Sequence, residues 1–326
     1  MNANSNVHSN TLAKPLATPV ATPQASASTA TLLNADLHCH SVVSDGTLSP
    51  EMLAARAAAN GVELWALTDH DEIGGQQRAA AAAHANGMAY LTGTEISVTF
   101  IGATVHIVGL GFDPDDAGLK AGLAQTRGGR QERAMDIAAG LAQVGIKGAY
   151  EGALKYVSNP DLISRTHFGR YLVEAGVCKD TNEVFRKYLT DGKPGFVPHK
   201  WATLKEAVTW ITGAGGVAVI AHPARYKFSA NEEYALFTEF KALGGRGVEV
   251  VTGSHTAAEA VTYAKTAQEY GLVASRGSDF HSPTESHTDL GKLPLLPGQL
   301  TPVWTLLQDR IQRAPGRAAG PVATRV

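Results

Sequence analysis

Six times along this chain an apolar run stops at a histidine or an acid, and that pattern restricts the fold more than any other feature. The stretches are Ala35-Asp36-Leu37-His38-Cys39-His40, Thr68-Asp69-His70-Asp71, Thr94-Glu95, Val105-His106, Ala221-His222-Pro223 and Ser278-Asp279-Phe280-His281. At an extended strand end His38 and His40 project to one face and Cys39 to the other, so two imidazoles aim at one point. A lone His-x-His is also an ordinary polar strand end. Ligand-type residues at so many further strand ends argue for a metal centre instead.

Between those ends the chain alternates strand and helix. Ser49-Pro50-Glu51 opens a helix with a capping hydroxyl, Pro in the first turn and an acid at the positive dipole end, and Asn60-Gly61 stops it. Strands are expected over 62–68, 88–93, 96–100, 104–110, 216–221, 247–251 and 272–275. Residues 96–110 read as a hairpin. Strand, loop and helix repeated about seven times predict an α/β domain, either a parallel barrel or a doubly wound sheet. Polar residues at the strand ends favour the barrel, whose sites gather at the carboxyl ends. The expected division is a disordered tail over 1–33, a first barrel part over 34–112, a helical insertion over 113–201, and a second barrel part over 202–326. That last part ends in a helix from Pro302 to Arg313. Within the insertion, helices are expected over 114–144, 148–157, 165–175 and 181–189.

Composition excludes other classes. A formal charge of −2 on 326 residues does not suit a protein that coats nucleic acid, so a polyanion would need a local Arg/Lys cluster. The two cysteines, Cys39 and Cys178, have no disulfide or zinc-knuckle spacing, which fits a reducing cytoplasm. No apolar run approaches the length of a membrane span. The first thirty or so residues are rich in Ala, Thr, Ser, Pro and Asn and resemble no secretory signal.

The ordered motifs Asp36-Leu37-His38-Cys39-His40-Ser41, Thr68-Asp69-His70-Asp71, Glu95, His106, Ala221-His222-Pro223 and Gly277-Ser278-Asp279-Phe280-His281 resemble those of the polymerase and histidinol phosphatase (PHP) superfamily. The match runs from about Asn34 to Thr288. The segments Ser164-Arg165-Thr166-His167-Phe168-Gly169 and Gly192-Lys193-Pro194-Gly195-Phe196-Val197-Pro198-His199 are similar to the 3′,5′-nucleoside bisphosphate phosphatase subfamily, also known as ribonuclease AM. The resemblance implies a distorted (βα)7 TIM-like barrel and three divalent ions. It assigns His38, His40, Glu95 and Asp279 to the first, Asp45, His70 and His281 to the second, and Glu95, His106 and His222 to the third. Many superfamily members have His where Asp45 stands. Mixed imidazole and carboxylate ligands suit manganese first, with iron or zinc as alternatives.

The implied reaction is hydrolysis of a phosphate ester by a metal-bound hydroxide held by those nine residues. The implied substrate is a nucleoside 3′,5′-bisphosphate or a short 5′-phosphorylated oligonucleotide, with no obligate protein partner. Arg130, Arg133, Ser164, Arg165, His167, Lys193, His199, Arg225 and His255 are the candidate substrate contacts. Blander readings stand beside several of these. Arg130 and Arg133 could be a charged helix face, His255 a helix start, and Asp69 and Asp71 either acceptors orienting His70 or helix-capping loop residues. Cys39 reads as a core thiol. Two functional alternatives are a histidinol-phosphatase-type monoesterase and a PHP module that binds without catalysing.

Overall fold

The computed structural model describes Met1 and residues 33–314. The tail expected over 1–33 therefore lies, but for its ends, outside the described residues. Seven strands run in chain order around one sheet: β1 (Ala35–Asp36), β2 (Leu64–Leu67), β3 (Ala89–Phe100), β4 (Ala103–Leu110), β5 (Val217–Ile220), β6 (Gly247–Thr252) and β7 (Val273–Gly277). All neighbouring pairs are parallel except those made by β4, which runs antiparallel to both β3 and β5. The β1 and β7 ends close the ring through bonds from Leu37 N–H to Arg276 O (3.0 Å), Asp279 N–H to His38 O (2.8 Å) and His40 N–H to Phe280 O (2.8 Å). The α/β barrel expected from the alternation is thus the fold observed.

The antiparallel strand follows from a local cause. Phe100 and Ala103 pair across Ile101 and Gly102, whose φ values of 46° and 76° suit a two-residue primed turn. The strands expected over 88–93 and 96–100 join into a single β3 of 12 residues, paired with β2 at its start and β4 at its end.

The helices are α1 (Pro50–Ala59), α2 (Gln76–Ala85), α3 (Ala117–Arg127), α4 (Arg130–Gln143), α5 (Ala149–Leu154), α6 (Arg165–Glu174), α7 (Thr181–Val184), α8 (Leu204–Gly213), α9 (Ala230–Ala242) and α10 (Ala257–Tyr270). Capping boxes Thr203/Glu206, Ser229/Glu232 and Thr256/Glu259 start α8, α9 and α10. The one helix expected over 114–144 is two, because Gly129 at φ 79° breaks it and sets Arg130 at the head of α4. Helices α4 to α7 bury a core of their own, with Ile137, Leu141, Phe168, Leu172, Val184 and Leu189 among its members.

The helix expected over Pro302–Arg313 is not there; only a 3₁₀ turn, Val303–Leu306, forms. Tertiary pairing overrides local propensity. Thr301 O accepts from Ala274 N–H, and Gln312 exchanges both backbone bonds with Tyr90, so each end of the segment is held extended against the sheet.

Candidate metal centre

One mouth of the barrel brings the nine expected ligands together. His38 and His40 follow β1, and Asp279 and His281 follow β7, in register along the ladder that closes the barrel. Gly277 permits that approach, since a Cβ there would lie 2.3 Å from the Cβ of His38. Asp45 stands on the turn after His40, where Gly46 N–H bonds Ser41 O at 2.9 Å. His70 pairs with Glu95 as an isolated bridge beyond β2, placing Glu95 in the middle of β3. His106 lies on β4 opposite Ser97, and His222 ends β5.

Glu95 is fully buried and at the centre. Its Oε1 lies 3.3 Å from His38 Nε2 and 3.0 Å from both His106 Nδ1 and His222 Nε2; its Oε2 lies 3.0 Å from His70 Nδ1 and 3.4 Å from His40 Nε2. Asp279 divides its oxygens: Oδ1 faces His40 Nε2 (3.2 Å) and His38 Nε2 (3.5 Å), while Oδ2 accepts from Arg225 Nη1 at 2.7 Å. Asp45 Oδ1 faces His281 Nε2 at 3.4 Å and His70 Nε2 at 3.9 Å.

Three groups have ligand atoms close enough for one ion each: His38, His40, Glu95 and Asp279; His40, Asp45, His70 and His281; and His70, Glu95 and His106. The first is the set implied by the resemblance. The second adds His40, and the third has His70 where the resemblance implied His222.

The donor set fits divalent cations. His38 Nε2, both ring nitrogens of His40, Asp45 Oδ1 and Glu95 Oε2 are buried without a hydrogen-bond partner, an arrangement that costs free energy unless a cation fills the space. Burial, helped by His281 and His70, pushes His40 down to about 3, and burial with Arg225 takes His222 down to about 4. Neutral imidazoles are the form that ligates metal. Burial works against the charged form of Glu95 too, but His106, His38 and His70 hold its carboxyl well below the usual range. Three site residues, Asp71, His222 and Asp279, hold φ of 52°, 26° and 54°, which side-chain-bearing residues rarely adopt.

The residues expected to meet substrate divide into two kinds. Arg133, Arg165 and Arg225 gather beside the mouth with Arg130. Burial, Arg165 and Arg130 pull Arg133 down to about 9, and burial with Arg225 lowers Arg165. Among the described residues Arg133 donates to Val197 O (3.1 Å) and Arg165 to Leu189 O (3.2 Å), and neither hydrogen-bonds a carboxylate. Arg130 bonds Asp71 Oδ2 and lies over Trp201 at 4.6 Å. His199 packs edge-on against the same ring at 4.2 Å, and Lys193 is exposed on its loop.

Backbone groups engage the rings of two further candidates, although His167 Nε2 is buried without a hydrogen-bond partner among the described residues. His255 donates from Nδ1 to Val250 O (3.0 Å), and its Nε2 accepts the Ala224 N–H (3.3 Å), leaving no ring nitrogen for a phosphate. His167 Nδ1 accepts the Ser164 N–H at 3.0 Å in a capping box that starts α6, and its ring is fully buried. Ser164 Oγ reaches Asp45 Oδ2 at 3.4 Å.

Asp69 and Asp71 do not bond His70. Asp69 accepts from Ser41 N–H, Ser41 Oγ and Ser44 Oγ at 2.6–2.7 Å and so fixes the turn that carries Asp45. Asp71 accepts from Ser97 N–H (2.7 Å), Ser97 Oγ (2.9 Å) and Arg130. Cys39 is a core thiol beside Trp65, whose Nε1–H points at Sγ at 3.3 Å.

Residues 36–159 match the PHP domain family model. The chain is 50% identical over 282 residues to the 3′,5′-nucleoside bisphosphate phosphatase of Chromobacterium violaceum, spanning 86% of this chain and 99% of that protein. It belongs to the PHP phosphoesterase family. A 5′-3′ exoribonuclease of Haemophilus influenzae is 41% identical over 82% of this chain and 97% of its own. A solved structure from Bifidobacterium adolescentis, provisionally assigned as a metal-dependent phosphoesterase, superposes with a TM-score of 0.71 at 27% identity and covers 87% of this chain and 98% of that one. The resemblance read from the motifs and the relatives agree, and this PHP chain is a phosphoric ester hydrolase. Among the described residues no helix is long and apolar enough to cross a membrane.

Proposed function

We propose that this chain hydrolyses the 3′-phosphate of nucleoside 3′,5′-bisphosphates and trims short 5′-phosphorylated RNA from its 5′ end. The observation that carries the reading is the pairing of a buried His/Asp/Glu centre with two nearby guanidinium groups, Arg133 and Arg165, whose hydrogen bonds among the described residues go to backbone carbonyls. Half of the 282 aligned residues are shared with a phosphatase named for that bisphosphate, and the exoribonuclease relative favours the second activity. Three divalent ions, manganese first among them, would be held by His38, His40, Glu95 and Asp279; by Asp45, His70 and His281 with His40; and by Glu95 and His106 with His222 or His70. Such ions supply Lewis acidity, which polarises phosphoryl oxygens and makes a water deprotonate near neutral pH.

The chain's own residues do the rest. Arg225 holds Asp279 Oδ2, so that Oδ1 stays turned toward His38 and His40. Asp69 and Ser41 fix the loop of Asp45. Arg133 and Arg165 meet the phosphate that is not cleaved, with Arg130 stiffened behind them by Asp71 and Trp201. A guanidinium fork suits that contact through paired hydrogen bonds to phosphate oxygens.

The test is phosphate and adenosine 5′-monophosphate release from adenosine 3′,5′-bisphosphate, with metal content measured on the same sample before and after chelation. Release that falls with the metal and returns with manganese is expected. A metal-loaded protein that releases no phosphate would overturn the reading.

A further inference from the structure

Glu249, in the middle of β6, is fully buried and belongs to none of the three ligand groups. Its two oxygens have different partners. Oε1 accepts from His38 Nδ1 at 2.8 Å, and Oε2 accepts the backbone N–H of His222 at 2.7 Å.

The first contact decides where the His38 proton sits. A carboxylate only accepts, so Nδ1 carries a hydrogen and Nε2 is left with a lone pair for a cation or a second proton to cap. That lone pair faces Glu95 Oε1 at 3.3 Å and Asp279 Oδ1 at 3.5 Å, where only a cation or a proton would be tolerated. The second contact holds the backbone of His222 at φ 26°, so that Nε2 stands 3.0 Å from Glu95 Oε1. One carboxylate therefore aligns two imidazoles, on different strands, that converge on the same Glu95 oxygen.

We propose that Glu249 is a positioning residue that sets the tautomer of His38 and the turn at His222, and so determines whether the centre takes up its full complement of divalent ions. The proposal rests on the metal-centre reading above. Glu249→Gln has nearly the same shape but can offer one acceptor and one donor. The backbone N–H of His222 cannot invert, so the amide oxygen goes there and the NH2 group faces His38 Nδ1. His38 must then accept at Nδ1 and carry its proton on Nε2, where it blocks ligation.

Histidine-labelled, metal-free protein read by long-range 1H–15N correlation gives the tautomer, with the His38 signal identified by its loss in His38→Gln. Expected are a proton on Nδ1 in the wild type, and a bare Nδ1 with the proton on Nε2 in Glu249→Gln. Manganese binding followed by calorimetry and elemental analysis should show at least one ion held roughly 10- to 100-fold more weakly in Glu249→Gln. Glu249→Asp, which keeps two acceptors, should retain the wild-type tautomer, and it reads the same quantities should the amide variant fail to fold. A wild-type His38 with no proton on Nδ1 would overturn the proposal. So would Glu249→Gln binding manganese as the wild type does. A wild type that takes up no divalent ion would sink the metal-centre reading instead, whereas the tautomer is measured without metal and tests Glu249 separately.

Discussion

Glu95 touches five histidines through two oxygens, whereas His106 sits at the edge of one group. Glu95→Ala is expected to lose two ions together and to cut the rate more than His106→Ala, which should cost one. Elemental analysis decides this, and a Glu95→Ala protein with a full complement would refute the shared ligation. Gly277 gives a second expectation, since a methyl group there would also lie 2.6 Å from the backbone N of His38. Gly277→Ala should lower stability by about 1–3 kcal/mol and weaken metal uptake, because His38 and Asp279 lie across that contact. An unchanged melting temperature and ion count would count against it. The candidate ligands could be singled out because residue type and expected strand end coincide in the sequence. Glu249 was missed although a charged residue inside Gly247-Val248-Glu249-Val250-Val251 is itself a signal, as a buried acid needs partners. For His167 and His255 a sequence shows that ring nitrogens exist, but not that a backbone group three or five residues away bonds one of them.

At the level of elements, the capped helices could be read almost to the residue, as with the helix expected to open at Ser49-Pro50-Glu51 and stop at Asn60-Gly61 and found over Pro50–Ala59. Short-range signals encode such elements. The segment after β7 could not be read this way, because its conformation is set by partners far away in sequence. Arg276 shows how that segment is held. It is fully buried, donates to Pro294 O (2.7 Å) and Asn34 Oδ1 (2.8 Å), and also bonds Ala35 O and Leu293 O. It thus ties the start of β1 to the chain returning beneath the barrel. Asp36 bonds the Ser278 and Gly291 N–H groups in the same region. Arg276→Ala would strand several buried acceptors at once and should cost about 3–5 kcal/mol. Urea unfolding measures this, and a midpoint within error of wild type would mean that water or the loop replaces the guanidinium.

Across the whole molecule, the insertion is fastened to the barrel at the loops that carry the ligands. Arg130 bonds Asp71, Arg170 forms a two-pronged pair with Glu285 (2.9 and 2.8 Å), and Ser164 approaches Asp45. This attachment sets a guanidinium cluster at a fixed position relative to the metal ligands. Metal ions alone would draw in any phosphate ester, so discrimination needs cations held away from the point of cleavage. Arg165 is the cleanest probe of that division: it stacks on Phe185 (5.8 Å), donates to a single carbonyl, and bonds no metal ligand. Losing a hydrogen-bonded charge pair to the uncleaved phosphate is worth about 1.5–3 kcal/mol, roughly 10- to 100-fold in kcat/KM. Arg165→Ala should therefore lose that much on adenosine 3′,5′-bisphosphate and little on p-nitrophenyl phosphate, which has no second phosphate to hold. The comparison needs one enzyme preparation with a measured ion content, so that a damaged centre is not mistaken for lost recognition. Equal losses on both esters would make Arg165 a support for α6 and the Asp45 loop, and would return the choice of substrate to the barrel.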